Sequence, residues 1–312
     1  MQKRKIGNSD LWIAPFVLGG NVFGWTIDES TSFKILDGFI DRGCDMIDTA
    51  DVYSNWKEGN KGGESETIIG NWLQKRGSRS KILIATKVGG NMGRGKILKK
   101  DYILKAAEAS LKRLKTDYID LYQSHWDDIN TPVEETLEAY MQLIKDGKVR
   151  YIGASNLSKK RLEDSLNASE KKTLPRYESL QPRYNLYDRE EFETQYQEIC
   201  ISKNLGVLPY YGLASGFLTG KYRSSKDLSK SARGSGIEKY LTDRGFKILD
   251  TLDNIASRYQ TRAATIALAW LMSRPAITAP IASATSIAQL EDLVKAIDLR
   301  LDDEAMQELN AL

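Results

Sequence analysis

The chain has 312 residues, 41% of apolar types and 28% charged, an ordinary composition for a soluble globular protein long enough to bury a large core. Its 45 basic and 42 acidic residues leave a formal charge of +3, so charge gives no reason to expect a nucleic acid or an anionic membrane as partner. The densest apolar stretch, residues 263–272, is too short to span a bilayer, and one histidine with two distant cysteines, Cys44 and Cys200, excludes the usual metal-ligand spacings.

No apolar run follows the basic start Met1 to Lys5, so no signal peptide is expected, and the cytoplasm with reduced thiols is the expected compartment. From there, short apolar runs alternate with amphipathic segments. Residues 5–8 and 11–13 read as a small hairpin and 16–20 as a first strand. A helix over 29–42 follows, with Phe33, Leu36, Phe39 and Ile40 at helical spacing. The next pairs are strand 46–48 with helix 64–75, strand 82–87 with a helix ending near 114, and strand 119–123 with helix 133–144. Strand 149–153 goes with helix 159–166, strand 179–181 with helix 190–202, and strand 206–210 with helix 246–259. An extra helix at 262–272 comes before the last strand, 277–281, and the last helix, 288–296.

Sustained alternation of this kind predicts a parallel sheet of the α/β class. Eight such pairs predict closure into one (β/α)8 TIM barrel, a single domain over residues 1–312 with a short N-terminal hairpin and the extra helix before its last strand. A doubly wound open sheet is disfavoured, because no G-x-G-x-x-G follows the first strand. Residues 212–245 form the one long irregular stretch, rich in Gly, Ser, Lys and Arg, as expected of a functional or mobile loop.

In a barrel, chemistry sits at the C-terminal ends of the strands. Asp48 ends the second strand, with Tyr53 in the loop behind it. Lys87 ends the third strand and His125 the fourth, while Ser155 with Asn156, Gln181 and Tyr210 end the next three. Each has an ordinary structural use when taken alone: a solvated terminus for Lys87, a helix cap for Asp48, a half-buried aromatic for Tyr53, a core imidazole for His125. Barrel closure brings them to one centre, which those separate uses leave unexplained.

On these residues the sequence resembles the aldo-keto reductase superfamily. The motifs that carry it are Asp48-Thr49-Ala50-Asp51-Val52-Tyr53, Gly63-Glu64-Ser65-Glu66 and Thr86-Lys87, then Ser110 to Leu114 leading to Tyr118-Ile119-Asp120-Leu121-Tyr122 with His125 beyond. Residues 147–156 and 216–222 complete them, and the resemblance runs over about residues 3–310, nearest to a bacterial branch that also resembles potassium-channel β subunits.

The resemblance implies an NAD(P)H-dependent oxidoreductase that reduces an aldehyde, ketone or sugar-like carbonyl to the alcohol, of the carbonyl reductase or alcohol dehydrogenase type. Its partner would be a small-molecule carbonyl substrate, without nucleic acid, membrane or metal, and with the oligomeric state open. Tyr53 is then the general acid, Lys87 favours its phenolate, Asp48 holds Lys87, and His125 orients the carbonyl. For the cofactor, the resemblance points to Gly20, Asn21 and Asp48, to Ser155, Asn156 and Gln181 at the nicotinamide amide, and to Tyr210 stacked on its ring beside Tyr211. Leu213, Ser215, Gly216, Leu218, Thr219 and Lys221 match a pyrophosphate loop, with Arg233 further along it. Ser283, Thr285, Gln289 and Asp292 match the phosphate end. Trp25, Tyr53, His125 and Trp126 would meet the substrate, with Trp56 beside them. Many NADP-specific members carry Arg or Lys where Ser283 and Gln289 stand, and the family often has Glu-Asn where Asp292-Leu293 stands. NADP(H) is the implied preference, with NAD(H) the second candidate. The alternative function is a nicotinamide-cofactor-sensing regulatory protein with incidental turnover.

Overall fold

The computed structural model describes residues 1–93 and 95–312. Eight parallel strands curl into the barrel: β1 Val17–Gly19, β2 Met46–Asp48, β3 Leu83–Val88, β4 Ile119–Ser124, β5 Val149–Ser155, β6 Tyr177–Gln181, β7 Gly206–Val207 and β8 Ile281–Ala282. From β1 to β7 each pairs with the next in chain order, and β8 returns to β1 through Ile281 opposite Val17 and Ala282 opposite Leu18. The seam between β7 and β8 is closed by the backbone, with Thr278 N–H donating to the Val207 carbonyl and Ile281 N–H to that of Pro209, each at 2.9 Å. The last strand was expected over 277–281 but is short. Pro280 lies in it and has no N–H for the ladder, and its carbonyl instead accepts from Val17 N–H at 3.0 Å.

The N-terminal hairpin pairs Arg4–Lys5 with Trp12–Ile13. Its Ile6, Leu11 and Ile13 pack against inward-facing Val17, Met46, Ala85, Leu121 and Leu208 to form a core inside the barrel. Arg4 ties it across the fold by donating to the carbonyls of Met272 and Ile277 at 2.9 and 3.1 Å.

A larger core lies between the sheet and its helices, so the strands are apolar on both faces. The helices are α1 Glu29–Asp41, α2 Glu64–Arg76, α3 Lys100–Leu114, α4 Val133–Lys145 and α5 Lys159–Lys172, followed by α6 Gln197–Ser202, α7 Asp243–Arg258, α8 Ala263–Ser273, α9 Ile287–Lys295 and α10 Asp303–Asn310. Several start where the sequence offers a cap: Asp28, Ser158, Thr242, Ser286 and Asp302 each accept a backbone N–H three residues on.

β7 likewise stops at Val207, short of the expected 210, and three further elements differ from expectation. The sixth helix begins as a π turn, Phe192–Tyr196, that runs into α6. Helix α10 has few apolar positions to announce it, and buries Ala305 and Leu309 while Asn310 accepts from the Trp270 indole at 2.9 Å. The irregular stretch 212–245 carries 3-10 turns, among them Ala214–Thr219, Ser225–Lys230 and Glu238–Tyr240, anchored by buried Phe217, Leu218, Tyr222, Ile237 and Tyr240. Among the described residues no helix is long and apolar enough to cross a membrane.

Gly70 shows how tightly the outer layer is set. A Cβ there would run into the carbonyl oxygen of Arg113, at the end of α3. In an exposed helix Gly→Ala stabilises by about 1 kcal/mol. Here Gly70→Ala is expected to lower unfolding free energy by about 1–3 kcal/mol, because the backbone of α3 must move. Urea denaturation decides the sign, and a variant as stable as the parent would mean that α2 and α3 can separate at no cost.

Candidate active site

Asp48 is the last residue of β2, Lys87 lies near the end of β3 and His125 follows β4, so parallel pairing delivers all three to the same rim. The Lys87 side chain has no exposed surface. Its Nζ donates to Asp48 Oδ2 at 2.7 Å, to the Thr49 carbonyl at 2.7 Å and to the Tyr53 hydroxyl at 2.9 Å, which engages all three ammonium hydrogens. The other Asp48 oxygen, Oδ1, accepts from Gln123 Nε2 at 3.1 Å and Gln181 Nε2 at 2.9 Å. Tyr53 is placed by a tight loop in which Asp51 N–H bonds the Lys87 carbonyl and Tyr53 N–H the Ala50 carbonyl.

The electrostatics follow from this packing. Burial pushes the Tyr53 phenol above its ordinary range, while neighbouring Lys87 pulls the other way. Burial pulls Lys87 down, but Asp48 and Tyr53 together hold it above its usual value, so it stays charged. Burial and then Lys87 hold His125 far below the usual imidazole range, so it is neutral at pH 7.

The next strand ends add neutral donors and acceptors. Ser155 Oγ donates to the Gln181 carbonyl at 2.9 Å. Asn156, in left-handed backbone at φ 50°, donates to the His125 carbonyl at 2.8 Å and accepts from the Tyr210 hydroxyl at 2.9 Å. Aromatic rings surround Tyr53 and His125. Tyr53 meets Trp56 edge-on at 5.7 Å, Trp56 meets Trp25 at 5.6 Å, and His125 stacks near Trp126 at 6.2 Å.

The other sequence-predicted residues fall on the same end of the barrel. Gly20 N–H bonds the Asp48 carbonyl at 2.8 Å, and a Cβ there would press on Ser65 Oγ. Asn21 accepts from Ser283 Oγ at 2.6 Å, which joins the ends of β1 and β8. Tyr211 is exposed beneath the Arg183 guanidinium. Leu213 precedes a turn in which Ser215 and Gly216 take positive φ and Thr219 Oγ1 donates to the Gly216 carbonyl. Leu218 is fully buried, so its side chain faces the core, while Lys221 lies over Tyr222. Arg233 stands 5.6 Å over the Trp25 ring, and its Nη2 is buried without a hydrogen-bond partner. Thr285 donates from its N–H and its hydroxyl to Gln289 Oε1 at the start of α9, and Asp292 faces Lys295 at 3.3 Å. Left-handed turns, an unpaired guanidinium nitrogen and the N-terminus of α9 suit a phosphate-bearing ligand.

The sequence reading missed the Thr49 carbonyl and Gln123. A polar residue inside an apolar strand, opposite Lys87 in the ladder, was the signal for Gln123.

A sequence model described as "Aldo/keto reductase family" matches residues 15–312. The chain is 35% identical to "Uncharacterized oxidoreductase YrpG" of Bacillus subtilis, over 99% of this chain and 95% of that one. It is 31% identical to "Protein tas" of Escherichia coli over 100% and 97%. It is 32% identical to a "Probable voltage-gated potassium channel subunit beta" of Arabidopsis thaliana over 96% and 92%.

Removing one partner of a buried ion pair leaves the other charge stranded, at a cost of about 3–5 kcal/mol. Asp48→Asn is expected to lose that much unfolding free energy at pH 7, and adding Lys87→Met should recover part of it. A loss under about 1 kcal/mol in urea would show that Lys87 does not need Asp48 to carry its charge.

Proposed function

The chain belongs to the aldo/keto reductase family, and on that premise we propose that it reduces an aldehyde, ketone or sugar-like carbonyl with NADPH, using Tyr53 as general acid. The observation that carries this reading is the buried ammonium of Lys87, bonded at once to the Tyr53 hydroxyl and to Asp48. A reduced nicotinamide, when bound, supplies the hydride that carbonyl reduction needs.

The chain's own residues handle the proton. The Tyr53 hydroxyl gives its proton to the carbonyl oxygen, and Lys87 lowers the cost of the phenolate left behind. Asp48 keeps Lys87 charged and aimed, and cannot swing away because Gln123 and Gln181 hold its second oxygen. Neutral His125 donates a hydrogen bond to the same carbonyl oxygen as negative charge grows there. Trp56 packs on Tyr53, Trp25 on Trp56 and Trp126 on His125, so the three would line the approach of a substrate.

Ser155, Asn156 and Gln181 would hold the nicotinamide amide and Tyr210 its ring, with Tyr211, Gly20, Asn21 and Asp48 as further cofactor-binding residues. Leu213, Ser215, Gly216, Thr219, Lys221 and Arg233 would hold the pyrophosphate, with Leu218 contributing backbone alone. Ser283, Thr285, Gln289 and Asp292 would take the far phosphate and its sugar. The channel-subunit relative favours a second reading, a cofactor sensor with incidental turnover. Absorbance at the nicotinamide band with a carbonyl panel separates the two, since a sensor turns over far below the ~10 per second of a typical enzyme.

Tyr53→Phe keeps the ring and removes the transferable proton. It is expected to cut the reduction rate by about 10²–10⁴-fold while NADPH binding holds. Retention of more than about a tenth of the rate would remove Tyr53 as the acid. At the phosphate end, Thr285, Gln289 and the α9 N-terminus offer neutral donors to a 2′-phosphate, which bind less strongly than charged ones. NADPH is therefore expected to bind tighter than NADH by about tenfold or less, and equal or reversed Kd values in a fluorescence titration would refute the preference.

A further inference from the structure

Around the loop that runs from Asp48 to Tyr53 lies a second, largely buried charge cluster that the proposed reduction does not use. Its members are Asp51 in that loop, Glu66 on α2 and Arg113 on α3. Glu66 is fully buried and both its oxygens are taken, Oε1 by the Thr86 hydroxyl at 2.6 Å and Oε2 by the Arg113 guanidinium at 2.7 Å. Asp51 is 4% exposed, yet its Oδ1 is buried without a hydrogen-bond partner. Its backbone N–H is bonded to the Lys87 carbonyl, so the residue is fixed against the strand that carries the ammonium. The groups facing its carboxyl are Glu66, Arg113, Lys87 of β3, the buried and unpartnered Tyr122 hydroxyl of β4, and Tyr140 of α4.

Arg113 is committed to Glu66, and Lys87 is already matched by Asp48. A second carboxylate at this buried position would have no cation of its own; partly exposed Arg113, the Val52 N–H and Lys87 offset only part of the cost of burial beside Glu66, so it is cheapest there as the neutral acid.

We propose that Asp51 is a positioning residue of the active site: a buried, protonated carboxyl whose ionisation puts an uncompensated negative charge beside Lys87 and so weakens Tyr53 as an acid. Burial and then Glu66 push its carboxyl up to about 7, against Arg113. His125 lies far below that range, and Tyr53 and Lys87 lie above their own ordinary values, so of these four groups Asp51 alone changes charge near neutrality. The activity arm of the test rests on the reduction reading, and the stability arm does not.

For stability, the unfolded chain releases the Asp51 proton near its ordinary value of 3.8, while the folded chain keeps it until about 7. Its contribution to folding therefore falls as pH rises between those values and is level above them. Thermal melts of the full chain should show Asp51→Asn gaining on the wild type as pH rises from about 4 to 8. For activity, wild-type kcat/KM for reduction of a carbonyl substrate should fall roughly threefold or more as pH passes 7, because the acid weakens. Asp51→Asn should be level over the same range, and Asp51→Glu should keep the fall.

Parallel melting curves for wild type and Asp51→Asn, or the same inflection in both activity profiles, would overturn the assignment. If Asp51→Asn does not fold, a level wild-type activity profile overturns it without any variant. A wild type that binds NADPH but reduces no carbonyl overturns the reduction reading itself, a different result from an active enzyme whose inflection ignores Asp51.

Discussion

The arrangement of the active end depends on one constraint: a lysine ammonium with no exposed surface must be fully bonded where it sits. A charge taken out of water is costly unless partners surround it, and the three groups around Lys87 Nζ are those partners. The requirement passes outward. Asp48 must offer a carboxylate, and its second oxygen then needs donors, which arrive as Gln123 from β4 and Gln181 from β6. The Gln181 carbonyl is held by Ser155, and Ser155 by Asn156, whose amide reaches His125 and whose oxygen is met by Tyr210. One buried charge thus orders side chains on β2 to β6 and on the segment after β7. Barrel closure makes this affordable, because it brings residues far apart in the chain within hydrogen-bond reach without long loops.

The same low-dielectric surroundings divide the protonation states. Burial acts against the charged form of every group it touches, so the outcome depends on which group keeps a partner. Lys87 keeps three and stays an ammonium; His125 keeps none for its Nδ1 and stays neutral. Tyr53 stands between these cases, raised by burial and drawn back by Lys87. A phenol that holds its proton beside a fixed cation is a donor whose conjugate base is already provided for.

Much of this was legible in the sequence. Alternating apolar runs and amphipathic segments reported which faces are buried, which is enough for the order of strands and helices and for the end of the barrel where Asp48, Lys87 and His125 emerge. Periodicity carries no information about partners across the barrel. Gln123 looked like one polar residue in an apolar strand until the ladder set it opposite Lys87. Arg233 was placed by resemblance in a long loop, but its contact with Trp25 is a tertiary fact. The shortened β8 follows from Pro280, whose lack of an N–H was readable, although its effect on closure required the neighbouring strands. Asp51 lay inside a quoted motif, and what sets it apart is that Glu66 and Arg113 meet each other beside it.

The two ends of the barrel differ in how completely polar groups are satisfied. At the N-terminal end, Asp120 accepts from Arg79 at 2.8 Å, from Arg150 at 2.9 Å and from the Ile84 N–H at 2.9 Å, a closed set with no chemistry to offer. At the opposite end, buried polar atoms of Asp51, His125, Arg183 and Arg233 lack hydrogen-bond partners and lie on segments leaving the C-terminal ends of strands, whereas the unpartnered Asp45 oxygen just before β2 is offset by the Lys3 ammonium at 2.7 Å. Burying such an atom without a partner costs about 1–3 kcal/mol, so a fold selected for stability alone would not gather them at one rim. They persist because the N-terminal end and the two apolar cores hold the barrel closed regardless. The stable end lets the other keep buried polar groups that the protein itself does not satisfy.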